Sequence, residues 1–138
     1  LLRFTRLYRT SAMKFVPDQM DVPAITAHGP GWVAVNGQPF RHHLLLTAQG
    51  LLQPWHCTGF DQLDTGHFSQ LAELPCELVL FGTGDRLRFL HPSVTAPLMA
   101  RGIGIETMDT AAACRTYNFL AGEGRRVLAA LLVDAPAP

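Results

Sequence analysis

The chain has 138 residues, of which 48% are hydrophobic and 16% charged, and its basic and acidic residues, 11 of each, balance at neutral pH. That length and composition fit one domain with one core and exclude a chain too polar to fold. A zero net charge supplies no long-range field to collect nucleic-acid phosphates, and no apolar run approaches the ~20 residues that a membrane-crossing helix needs, so neither nucleic acid nor a membrane span is expected.

Residues 1–12, LLRFTRLYRTSA, carry Arg3, Arg6 and Arg9 and no acid, the composition of a short organelle-targeting arm. Met13-Lys14-Phe15 reads as a natural start, so the arm is expected to be disordered or mis-started, with residues 13–134 as a single domain. The expected compartment is cytoplasmic, and the mitochondrial matrix only if residues 1–12 are a genuine presequence. Residues 24–28 and 32–36 are short strand-like runs parted by Gly29-Pro30-Gly31, hence a hairpin. Asn36-Gly37 tolerates the positive φ of a type I′ turn, and the run over residues 40–47 follows as the third strand of a meander. Residues 50–56 contain Pro54, which lacks a ladder donor and places this run on a sheet edge.

Asp64 caps a helix that presents Phe68, Leu71 and Ala72 on one face and ends at Leu74-Pro75. The run ELVLF over residues 77–81 is apolar throughout, as in a parallel strand covered on both faces. Pro92 opens a helix carrying Val94, Leu98 and Met99, which stops at Gly102 before a second central strand over residues 103–107. Strand, helix and strand at this spacing form a crossover unit, so the two strands are expected to be parallel. Asp109 caps a helix over residues 110–121 with Ala113, Cys114, Tyr117, Leu120 and Ala121 on its apolar face. After the Gly122 and Gly124 break, residues 127–133 read as a last strand rather than more helix.

The segments ELVLFGTGDRLRF, GIGIETMDT and AACRTYNFLAGEGRRV resemble the small-domain family that includes mitochondrial complex I assembly factor 3, the vertebrate adipogenesis-associated domain protein and many uncharacterised bacterial proteins. The resemblance spans residues 13 to about 133, and the C-terminal half carries its specific motifs. It implies a three-layer α/β domain: a central mixed sheet of about five strands, with helices on one side and an N-terminal β-hairpin plus helix on the other. It also implies one sheet strand antiparallel to the rest, which fits residues 127–133. No family catalytic residue exists to carry over, and the mitochondrial members act through protein partners.

The chemistry-bearing residues converge on one rim. Gly82-Thr83-Gly84-Asp85 follows a buried strand, and ligands of parallel sheets collect beyond the strands' carboxyl ends. The next parallel strand ends at Asp109-Thr110, where a helix N-terminus brings free N–H groups to the same edge. Arg86, Arg115 and Asn118 complete a predicted site for a small anion or metabolite, because arginine forks bind carboxylate or phosphate bidentately. Neither the G-x-G-x-x-G fingerprint nor a P-loop is present. An architectural reading stands beside the binding one: the glycines serve a turn, Asp109 serves its cap, the arginines pair with Glu106, Glu123 or Asp134, and Asn118 clasps a loop such as the Gly82-Thr83-Gly84 turn.

His42 and His43 alternate across an extended run and cannot share one ion. His56-Cys57 has no base in reach by sequence alone, and Cys57, Cys76 and Cys114 are odd in number and widely spaced, so they read as reduced thiols. No metal, no cofactor and no catalytic set is expected. Two functions compete: a non-enzymatic module that binds a protein partner, with Trp32, Phe40 and Trp55 as the candidate anchors, in assembly of a respiratory or membrane complex; or an enzyme or sensor using the crevice between Gly82-Thr83-Gly84 and Asp109.

Overall fold

The computed structural model describes residues 23–136. The predicted arm over residues 1–12 and the predicted domain start at residue 13 lie outside them. An antiparallel meander comes first: β1 (Ile25–Gly29), β2 (Trp32–Val35) and β3 (Gln38–Phe40). Its second turn has φ of 50° at Asn36 and 85° at Gly37, the pair of positive values that a two-residue type I′ hairpin requires.

The run predicted as one strand over residues 40–47 divides between two sheets. Phe40 ends β3, residues 41–43 leave the meander, and β4 (Leu44–Thr47) enters the main sheet. Arg41 and His42 are exposed whereas all four residues of β4 are buried, so the chain passes there from a half-wet ribbon into a strand covered on both faces.

The main sheet has five strands in the order β5 (Leu52–Pro54), β4, β8 (Val127–Leu131), β6 (Leu78–Gly82) and β7 (Gly104–Met108). β6 is parallel to both β7 and β8, as the crossover pattern predicts. Residues 127–131 do form a strand, but the reversed strand is β4, antiparallel to both of its neighbours. The helix α3 (Thr110–Gly122) carries the chain back to the starting edge of the sheet before β8, so β8 must run with β6 and β7.

The helices α1 (Thr65–Ala72) and α2 (Pro92–Ala100) lie over one sheet face, burying Phe68, Leu71 and Leu98 with Trp55, Val79, Phe81 and Leu128. The meander and α3 lie over the other, burying Val33, Val35 and Tyr117 against Leu46, Leu80 and Leu131. α1 opens on a reciprocal cap in which Asp64 accepts from His67 N–H and the His67 ring accepts from Asp64 N–H. On α2, Leu98 is fully buried and Met99 is 72% exposed.

α3 holds the meander through two adjacent side chains. Tyr117, fully buried, donates its hydroxyl to the Pro23 carbonyl at 2.6 Å. Asn118 accepts from Ile25 N–H at 3.0 Å and donates to Ile25 C=O at 2.6 Å. The clasp foreseen between Asn118 and the Gly82-Thr83-Gly84 turn is thus a clasp on β1. Asn118 lies roughly 13 Å along the helix from Asp109, which puts that turn out of its reach.

Candidate functional site

β6 and β7 end side by side, with Gly82 opposite Met108, and a chain of hydrogen bonds sews their ends to the end of β8. Thr83 N–H donates to Met108 C=O at 2.9 Å, and Thr110 N–H donates to Gly84 C=O at 2.8 Å. The Thr110 hydroxyl accepts from Gly84 N–H at 2.9 Å and donates to Leu132 C=O at 2.7 Å. Leu132 N–H then donates to Gly82 C=O at 2.9 Å. A Cβ at Gly82 would sit 2.9 Å from the Thr110 hydroxyl oxygen and 3.1 Å from Thr110 Cα, so glycine is what lets the helix start approach the strand end.

Beside this seam lies a cavity of about 380 Å³. Its walls are Gly84 and Asp85, the α3 start at Asp109, Thr110 and Ala111, the Leu132–Val133–Asp134 tail of β8, and the β1–β2 turn with Trp32. Of the eight predicted site residues, Gly84, Asp109 and Thr110 line it together, while Gly82 and Thr83 sit in the seam behind. Arg86 is exposed and does not line the cavity. Arg115 and Asn118 flank a separate, shallower groove against β1. Two of the walls, the β8 tail and the β1–β2 turn, were not foreseen; for the turn Gly29-Pro30-Gly31 was the available signal, since a Cβ at Gly29 would strike the Trp32 indole.

The electrostatics of this cavity differ from those of a phosphate cradle. Asp85, Asp109 and Asp134 line it, and neither an arginine nor a lysine does so among the described residues. The helix-start donors are largely spent: Thr110 N–H on Gly84, Ala112 N–H on the Asp109 carboxylate at 2.8 Å, and Ala113 N–H on Asp109 C=O. Asp134 is held by Arg88 at 3.0 Å, and the same guanidinium donates twice to Thr83 C=O and lies 4.6 Å over the Phe60 ring. The expected pairing of an arginine with Asp134 is therefore made by Arg88, whose job is to brace the loop after β6.

A second, more open groove brings His42, His43, His56, Cys57 and His67 to one side of the molecule. His43 bridges its two walls: Nδ1 accepts from Val133 N–H at 2.9 Å and Nε2 faces Thr58 C=O at 3.2 Å, which assigns the proton to Nε2. Among the described residues no group of three ligating side chains is arranged to hold a metal ion. Burial first, and the nearby Asp134 charge second, push the Cys57 thiol up to about 11. Its thiolate fraction at pH 8 is then on the order of a hundredfold below that of an unperturbed cysteine. Iodoacetamide is accordingly expected to alkylate Cys57 in the folded chain about tenfold more slowly than in urea, the rarer thiolate being the stronger nucleophile; equal rates, followed by mass spectrometry, would show that burial does not suppress this thiol.

The aromatic residues foreseen as an interface are not free. Trp55 is 4% exposed and belongs to the core, while Trp32 and Phe40 are half-buried. Among the described residues the large apolar side chains that do face solvent are Leu52, Leu87, Phe89, Met99 and Phe119, with Phe89 71% exposed. Among the described residues no helix is long and apolar enough to cross a membrane.

Comparison with known proteins gives consistent results for fold and family. A family described as a protein of unknown function (DUF498/DUF598) matches residues 25–132. The NADH dehydrogenase (ubiquinone) 1 alpha subcomplex assembly factor 3 of Bos taurus is 38% identical over 100 residues, covering 71% of this chain and 54% of that protein. Its namesake in Danio rerio is 30% identical over 133 residues, covering 94% and 75%. An uncharacterised protein of Rhodobacter capsulatus is 41% identical over 108 residues, covering 78% and 82%. This chain thus spans about half the length of the bovine relative. Among solved structures, a Bordetella parapertussis protein superposes with a TM-score of 0.77 at 40% identity, covering 82% of this chain and 97% of that one. A Mth938-like domain of Bordetella pertussis does so with a TM-score of 0.74 at 32% identity, covering 92% and 95%.

Proposed function

The chain belongs to the DUF498/DUF598 family, and we propose that, as a member, it works as a non-enzymatic protein-binding module assisting assembly of a respiratory or membrane complex. The observation that carries this reading is its kinship, over 71–94% of its length, with proteins named as NADH dehydrogenase assembly factors. The exposed pair Leu87 and Phe89, on the extended loop that Arg88 braces, supports it by offering apolar surface outside the core. The compartment that goes with this reading is the cytoplasm, or the mitochondrial matrix if residues 1–12 act as a presequence. Its test is removal of the chain from its cell, with assembled respiratory complexes resolved on native gels. The module reading expects a severalfold fall in one complex, with subcomplexes accumulating; unchanged assembly overturns it.

The cavity at the rim favours a second reading, a small-anion or metabolite site built on Gly82, Thr83, Gly84, Asp109 and Thr110, with Arg86, Arg115 and Asn118 around it. The three carboxylates in its wall and the spent helix-start donors weigh against an anion there. A true ligand at a hundred times its Kd would stabilise the fold by about 2.7 kcal/mol, on the order of 10 °C in Tm. A thermal-shift series with nucleotides, phosphate and carboxylates is expected to leave Tm unmoved; a shift of that size would promote the second reading over the first.

A further inference from the structure

Four strand edges border the two sheets of the described residues, and three of them carry a group that interrupts strand addition. On β1, the Asn118 carboxamide occupies both backbone groups of Ile25. On β3, Val35 and Gln38 flank the two-residue turn as a hydrogen-bonded pair, which turns Pro39 outward, and proline has no N–H to offer. On β5, the bonds Thr47 N–H to Leu51 C=O and Trp55 N–H to His43 C=O turn residues 51 and 55 inward. Leu52 and Pro54 then face outward, again with a proline at the edge.

β7 is different. Gly104 N–H donates to Glu77 C=O at 3.1 Å and Met108 C=O accepts from Thr83 N–H at 2.9 Å, so residues 104, 106 and 108 turn their backbone groups toward β6. By alternation Ile105 and Thr107 turn theirs outward, and among the described residues no strand lies across them. Two donors and two acceptors on β-compatible residues, without a proline, form a template for another strand.

We propose that the β7 edge is a strand-addition site for an extended segment of a protein partner that carries lysine or arginine opposite Glu106. Glu106 sits between the two outward residues, is exposed, and makes no ion pair among the described residues. An antiparallel strand bonded to Ile105 and Thr107 places its central residue directly across from Glu106, with Cβ atoms roughly 4.5–5.5 Å apart. A basic side chain there is attracted. A second copy of this chain that bonds both Ile105 and Thr107 about a two-fold axis would set Glu106 against Glu106, so the fully paired register favours a basic partner over self-pairing. The inference names the docking element of the protein-binding reading and rests on that reading.

The test is an NMR titration of the intact chain with two capped synthetic strands, Thr-Ile-Thr-Lys-Thr-Ile-Thr and its glutamate-centred twin, at millimolar concentration. Shifts at the Ile105 and Thr107 amides are expected, with the lysine strand binding about tenfold tighter, and E106K is expected to reverse that order. E106T, which removes the repulsion, is expected to dimerise in sedimentation experiments where the wild type does not through this edge. Equal binding of the two strands, no shift at these amides, or Ile105 and Thr107 amides that already exchange as slowly as Leu80 in the free chain each overturn the proposal. The last outcome would mean that the chain's own residues or a second copy cover the edge. Failure here, with respiratory assembly still dependent on the chain, removes the edge and leaves the module reading in place; strand binding with assembly unaffected does the reverse.

Discussion

Replacing Phe81 with alanine is expected to destabilise the domain by about 3–5 kcal/mol, a large share of the roughly 5–15 kcal/mol that holds such domains together. Phe81 has no exposed surface and stands at the centre of three other aromatic side chains. It packs edge-to-face with Phe68 at 5.7 Å and with Trp55 at 6.0 Å, and it stacks on Phe60 at 6.3 Å. The first partner lies on α1 and the second just after β5, so one ring ties the sheet to the helical layer. The third carries the Arg88 guanidinium, so loss of Phe81 also loosens the loop after β6. Phe81→Leu, which keeps most of the volume, should cost less than half as much. Urea unfolding followed by tryptophan fluorescence measures both, and a Phe81→Ala loss below about 1 kcal/mol would show that these rings do not bear on one another as described.

Gly84→Ala is the second large effect, expected at about 2–4 kcal/mol. Gly84 has φ of 100°, a backbone region that L side chains rarely adopt, and an added Cβ would land on the Asp134 carboxylate and 2.8 Å from the Arg88 guanidinium. Because Gly84 N–H and C=O are both held by Thr110, the turn cannot swing away without breaking the seam. Gly37 is the control: φ is 85°, but the space around it is open, so Gly37→Ala carries only the backbone strain, about 1 kcal/mol. Equal losses at the two positions would contradict the packed rim.

The rim also marks how far the sequence could be read. Its chain-order signals were strong: the apolar run of β6, the Pro92 start, the Gly102 stop and the Asp109 cap fixed the parallel pair β6–β7, and with it the meeting of the Gly84 turn and the Thr110 helix start. What the glycines do was not legible. Gly82 and Gly84 admit the Thr110 side chain and the Asp134 carboxylate respectively, partners 28 and 50 residues away in the chain whose approach is a tertiary fact. The direction of β8 was misassigned for a related reason: an apolar strand buried on both faces has the same pattern whichever way it runs. Trp55 beside Pro54 looked like an exposed edge residue, yet the edge strand ends one residue earlier and the indole turns under α1. Asn118 announced that its amide was in use but not on what. The strand edges, finally, are visible only once pairing is known, although the blocking prolines Pro39 and Pro54 stand plainly in the sequence.

The measurement that bears most directly on the account is amide hydrogen exchange on the chain recovered with its partners from its own cells, compared with the free chain. Recognition by protein surface predicts new protection at Ile105 and Thr107, with Gly84, Asp85 and Ala111 unchanged. Protection confined to Gly84, Asp85 and Ala111, with the β7 edge as open as before, would contradict it and return the function to the cavity.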